Sequence, residues 1–324
     1  MGILRKSNMS WVTVTLGIIL VSMVGCASTG QNFQRQNDFE NPGQNQLMRS
    51  SGHKGRPAFD EKKLIAEEPL NMTPGELERL GDIYLGRDNL YMAFVQYEKS
   101  LKLDPDNIRV RYKKGLVLVL GGLIKDAIKE FKTVLKKEPN YALAYQGLGQ
   151  AFLEARTYDK AEKNLRKAVE LNPKLWKSHN LLGLGYDQQG KHDQAIYEYA
   201  AAIRLKPHNG VLYHNLGVSY SLAGDTERAV NAFQKALENR YVDKKVYNNL
   251  GLALSKVGRH EEALEAFKKG GDIAQAYNNL GCVYLNESKF EKAIKCFETA
   301  IKLSPAFYAK ANENLKKARI AALN

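Results

Sequence analysis

Six histidines, at 53, 179, 192, 208, 214 and 260, and three cysteines, at 26, 282 and 296, are the side chains best suited to hold a metal or act as nucleophiles. No close pair of histidines has metal-ligand spacing. No glycine-rich phosphate loop or nucleophile elbow occurs, and the carboxylates are scattered as solvated residues are. The expectation is a protein that is not an enzyme and takes no cofactor, metal or small-molecule substrate. What does recur is the amide. Asn180, His214, Asn248, Asn278 and Asn312 stand 34, 34, 30 and 34 residues apart, and Asn215, Asn249 and Asn279 keep the same intervals. An amide is both donor and acceptor. A row of them on one surface can pair with the backbone of an extended peptide whatever its sequence. The other use open to such a row is structural, bridging neighbouring helices. Tyr112, with Leu116, Val119 and Leu120, adds either an apolar patch on that surface or ordinary core packing.

These residues need an element that repeats with them. From Pro74 the chain is self-similar, with units starting at 74, 108, 142, 176, 210, 244 and 274. The eighth position is always glycine: Gly81, Gly115, Gly149, Gly183, Gly217, Gly251 and Gly281. The eleventh is bulky (Tyr84 to Tyr284), the twentieth is always alanine (Ala93 to Ala293), and the twenty-fourth is Tyr, Phe or Leu. Spacings of three and four place these on one helix face. A mid-helix glycine costs about 1 kcal/mol against alanine. Its recurrence implies close approach of a second helix, with the alanine of position twenty expected opposite. Pro105, Pro139, Pro173, Pro207 and Pro305 end most second helices, because the residue before proline avoids the α region.

The pattern resembles the tetratricopeptide repeat over residues 74–307. The expected fold is therefore all-α: a superhelical α-solenoid of seven helix-turn-helix repeats, 74–107, 108–141, 142–175, 176–209, 210–243, 244–273 and 274–307. Residues 308–324 continue as a capping helix with Ala311, Leu315 and Ala318 inward. Unit six is four residues short, about one helical turn, and reads FKKGGDIAQ at its end. A truncated second helix is expected there. The resemblance implies that the fifth, sixth and ninth positions line a concave groove. The candidate binding residues are then Tyr112, Asn180, His214, Asn215, Asn248, Asn249, Asn278, Asn279 and Asn312. Co-chaperone repeats clamp a terminal carboxylate with lysine and asparagine. This chain has Glu78 with Asp82, or Tyr112 with Leu116, at those places, which excludes that clamp. Cys282 and Cys296 fall on different helices and read as two small semi-buried thiols, not a disulfide.

The 324 residues carry a formal net charge of +13, with 26% charged. A basic chain suits nucleic acid, an anionic membrane surface or an acidic protein. The N-terminus narrows the choice. Arg5 and Lys6 precede an uncharged run from Met9 to Val24, too short for a bilayer-spanning helix. Then comes Met23-Val24-Gly25-Cys26. This resembles a bacterial lipoprotein signal over residues 1–25, with Cys26 as the lipidated first residue of the mature chain. A plain anchor or a cleaved signal with an incidental cysteine is the alternative. Ala27, where inner-membrane retention would place Asp, implies the periplasmic face of the outer membrane, with the inner membrane or cell surface as alternatives. Residues 26–73, rich in Gln, Asn, Ser and Gly, read as a flexible polar linker. An exported chain is not expected to meet nucleic acid.

The lipoprotein signal and the C-terminal units together resemble lipoproteins of tight-adherence (Flp) and type IV pilus assembly. The resemblance implies a scaffold for protein partners, secretin or pilus-assembly components among them. A general envelope-biogenesis role and a peptide-binding periplasmic chaperone are the competing expectations.

Overall fold

A computed structural model describes residues 72–304 and 308–323. The signal, Cys26 and nearly all of the linker lie outside the described residues. Fifteen helices are described, and no strand lies among the described residues. First helices are α1 (Pro74–Gly86), α3 (Ile108–Leu120), α5 (Ala142–Glu154), α7 (Trp176–Gln188), α9 (Gly210–Leu222), α11 (Lys244–Lys256) and α13 (Ile273–Asn286). Their partners are α2 (Leu90–Leu103), α4 (Ile124–Lys137), α6 (Tyr158–Leu171), α8 (His192–Leu205), α10 (Thr226–Glu238), α12 (His260–Gly270) and α14 (Phe290–Leu303). The last helix, α15 (Tyr308–Ala321), closes the stack. Each helix packs most closely on its sequence neighbours, so the array is a one-dimensional stack of hairpins. From α3 onward each first helix also packs on the first helix of the next repeat. No pair of successive second helices makes comparable contact. The row of first helices is therefore the tight inner side of the curve.

Local chemistry sets the helix ends. Thr73 caps α1 through a capping box: its hydroxyl accepts from the Glu76 amide, and Glu76 accepts from the Thr73 amide at 2.8 Å. Between first and second helices the fifteenth residue of every unit is left-handed. It is glycine at 122, 190, 224 and 258, and Asp88, Arg156 and Ser288 elsewhere. The next amide then reaches back five residues to the carbonyl of position eleven, as in Asn89 to Tyr84 and Lys289 to Tyr284. Unit five has Tyr241 where five of the other units have proline. There α10 stops by the same device, with Arg240 left-handed and the Tyr241 amide on the Ala236 carbonyl at 3.0 Å.

The core is a file of rings and alanines. Tyr97, Phe131, Leu165, Tyr199, Phe233, Phe267 and Phe297, all at position twenty-four, are almost wholly buried, as is every alanine at position twenty. Burying one such side chain contributes about 1.5–3 kcal/mol. The glycine at position eight faces that side chain. A Cβ on Gly81 would lie 2.5 Å from the Tyr97 ring, one on Gly183 2.7 Å from Tyr199, and one on Gly281 2.6 Å from Phe297. This corrects the expectation that the alanine of position twenty sits opposite. The contact partner lies one helical turn further on, and the missing Cβ makes room for a flat ring or, at Gly149, for Leu165.

Unit six has the truncated second helix expected of it. Its α12 is 11 residues long against 13 or 14 for every other helix. It ends where Gly270 lies against α11: a Cβ there would come 2.6 Å from Asn248 Oδ1 and 3.0 Å from the Lys244 carbonyl. At the far end, Ala311, Leu315 and Ala318 of α15 are buried against the last pair.

Candidate functional site

The fifth position of the first helices is a seam between repeats. In units one, three, four and seven its side chain bonds the next repeat's first helix, or α15 at the end of the stack. In unit one, Glu78 accepts from Arg109 at 2.6 Å and from Lys113 at 2.7 Å. In unit three, Gln146 accepts from the Ser178 hydroxyl at 3.1 Å. In unit four, Asn180 Oδ1 accepts from Asn215 Nδ2 at 3.0 Å. In unit seven, Asn278 Oδ1 accepts from Asn314 Nδ2 at 2.9 Å. The same Asn314 amide lies 3.6 Å from the Cys282 sulfur. Bridging is worth making because these groups are buried, and a buried polar group without a partner costs about 1–3 kcal/mol. Burial raises the Glu78 carboxyl's pKa, but its hydrogen bonds to Arg109 and Lys113 outweigh that and hold it below the ordinary value.

The candidate groove residues therefore divide. Asn180, Asn278 and Asn279 are 6%, 2% and 7% exposed, too little to form a groove wall, and the first two bridge repeats. Tyr112 is likewise core. Its ring packs 5.9 Å from Phe131 and edge-on to Tyr141 at 5.8 Å, and burial pushes its hydroxyl's pKa up. These four are corrected from groove to packing. The helical period gives the face a residue occupies but not how deeply the next repeat covers it. His214, Asn215, Asn248 and Asn249 are half-buried, and Asn312 is exposed. His214 packs between Phe233 and Tyr241, tilted to the first ring and edge-on to the second. Asn248 lies against Gly270.

Two buried polar networks add to the site. Asp187 of α7 is held by the Ser219 hydroxyl of α9 at 2.6 Å, by His192 Nδ1 at 3.0 Å and by the Tyr199 hydroxyl at 3.2 Å. Burial raises its carboxyl's pKa above the usual value, and the three hydrogen bonds only partly offset this. Lys114 of α3 pairs with Glu98 of α2 and with Glu130 of α4, which also accepts from Arg111 at 3.0 Å. Sequence reading missed both. The signal for the second was available in opposite charges about half a repeat apart, Glu98 and Glu130 each lying 16 residues from Lys114.

Cys282 and Cys296 are free and buried in separate core clusters. Burial pushes the Cys296 thiol up to about 11, which keeps it un-ionised at neutral pH. Among the described residues no group of three or more His, Cys, Asp or Glu is placed to hold a metal ion. No described helix is long and apolar enough to cross a membrane.

Tetratricopeptide repeat profiles match residues 77–107, 112–175, 147–210, 214–276 and 274–307. Tetratricopeptide repeat protein 37 of Xenopus laevis is 31% identical over 112 residues, covering 30% of this chain and 7% of that protein. This chain spans only 5–18% of the lengths of several curated relatives that it matches. Among solved structures, the protein TTC0263 of Thermus thermophilus has TM-score 0.51 at 23% identity, covering 56% of this chain and 99% of that one. The pilF protein of Pseudomonas aeruginosa has TM-score 0.52 at 18% identity, covering 65% and 97%. Both likenesses are of fold. Repeats of this kind mediate protein–protein interaction. With seven stacked helix pairs and profiles matching along their length, the chain belongs to the tetratricopeptide repeat family.

Proposed function

We propose that this chain is a non-catalytic, lipid-anchored scaffold of the bacterial envelope that holds a protein partner along its row of first helices. The observation that carries the interaction is the row itself. Its C-terminal half keeps His214, Asn215, Asn248 and Asn249 half-buried at repeat spacing, with Asn312 exposed beyond them. The order of Arg5, Lys6, the apolar run, Gly25 and Cys26 supports the address. Ala27 favours the outer membrane's periplasmic face. A pilus or secretion system, with a secretin or assembly-platform protein as partner, is favoured by the resemblance of the lipoprotein signal and C-terminal units. The likeness to pilF adds fold alone.

A peptide-binding role rests on Asn249 and Asn312, whose amides can pair with an extended backbone, since Asn215 already donates to Asn180 and Asn248 Oδ1 is buried. Crosslinking in intact cells followed by mass spectrometry separates the two. One dominant envelope partner, lost with Asn249→Ala and Asn312→Ala, is the expected result. Many unrelated secreted chains would favour the peptide binder, and no crosslinked protein would overturn both. Cys26→Ser should abolish acyl labelling and release the chain from membranes. Persistent labelling would overturn the anchor.

A further inference from the structure

The second helices face outward, and one of them is unlike the rest. Residues 108–141 hold nine Lys or Arg and three Asp or Glu, whereas residues 74–107 hold four and seven. Part of that excess is used internally, since Arg109, Lys113 and Lys114 are paired to Glu78, Asp82, Glu98 and Glu130. Arg111 is paired to Glu130 and Lys137 to Asp106. What remains is Lys125, Lys129, Lys132 and Lys136 on α4. Their spacing of four, three and four residues puts them in one stripe on the helix face opposite buried Ala127, Phe131 and Val134. All four are exposed. At 1.5 Å per residue the stripe is about 16 Å long. Asp126 is the exposed acid that flanks it, while Glu130 is turned inward to Lys114 and Arg111. The next second helix, α6, extends the basic surface with exposed Lys160 and Lys163.

We infer that this stripe is a docking surface for an anionic membrane. The residue types select that occupant. Protein hot spots favour Trp, Tyr and Arg. Single-stranded nucleic acid sites interleave aromatic side chains with the charges. Stereospecific phosphate sites favour the planar fork of arginine. The α4 stripe holds lysine alone, a set of mobile point charges suited to a diffuse negative plane. Docking through α4 would lay the outer side of the stack on the bilayer and leave the row of first helices turned away. The inference depends on the outward face only and stands apart from the groove reading.

The test is lysine footprinting of the full chain on vesicles of phosphatidylcholine, with and without phosphatidylglycerol. The readout is the local acetylation rate, which reports contact of α4 with the bilayer whether or not Cys26 anchors the chain to both vesicle types. Lys125, Lys129, Lys132 and Lys136 should react several-fold more slowly on the anionic vesicles, with exposed Lys295 of α14 unchanged. Salt at 1 M, where the screening length falls to about 3 Å, should abolish the difference. In Lys129→Glu/Lys132→Glu the protection of Lys125 and Lys136 should vanish while the helical circular dichroism stays. Each reversed lysine should weaken the anionic-vesicle contact by about fivefold or more. Equal rates on both vesicle types would overturn the proposal, as would equal slowing at Lys295. So would protection by polyglutamate or a polynucleotide with none by vesicles.

Discussion

Seven glycines at one repeat position each lie in contact distance of a side chain on the facing helix, closer than any Cβ could tolerate. The cost of glycine in a helix, about 1 kcal/mol, is thus offset by packing that no other residue permits. Gly183→Ala should destabilise the chain by about 1–3 kcal/mol, since Tyr199 is fully buried and has no space to retreat. Gly75→Ala is the control. Nothing lies within 4 Å of a Cβ there, and the change should be neutral or stabilising by up to about 1 kcal/mol. Denaturant midpoints measure both. Equal effects would show that backbone entropy, not the ring, governs position eight. The asparagines obey the same rule of context: Asn180 and Asn278 have the residue type of a binding row, yet their carbonyl oxygens are engaged by the neighbouring helix.

At the scale of the element, unit six shows how a short deletion is absorbed. The end of α12 meets α11 through Gly270, and Asn248 is what a larger side chain would strike. Gly270→Ala should therefore destabilise the protein, and Asn248→Ala should recover part of that loss. A double-mutant cycle should give a coupling of at least about 0.5 kcal/mol. Additive effects would mean that the two residues do not share the contact. The helix pairs themselves were legible in the sequence, because a period of 34 with glycine, alanine and proline at fixed places leaves little freedom. The short α12 was legible too, from the lost turn and the paired glycines. The glycine's partner was not. Positions twenty and twenty-four lie on the same face of the second helix, and only distances decide between Ala195 and Tyr199. The seam at position five was legible only as one of two uses of the amide row, since whether Tyr112 or Asn278 lines a groove depends on how closely the next repeat lies.

Across the whole molecule, stability passes from neighbour to neighbour, so each end must be closed by something other than a repeat. At the C-terminus α15 does this with Ala311, Leu315 and Ala318, and with the bond from Asn314 to Asn278. The apolar burial contributes about 3 kcal/mol. Removing residues 308–324 would uncover Cys282 and the ring of Phe297, which share a core cluster with Leu315 and Ala318. If repeats are coupled mainly to their neighbours, the loss should stay local. Hydrogen exchange in α13 and α14 should quicken by about a hundredfold, the equivalent of that contribution, while α3 to α6 keep their protection. Uniform acceleration along the chain would instead mean that the seven pairs open as a single unit.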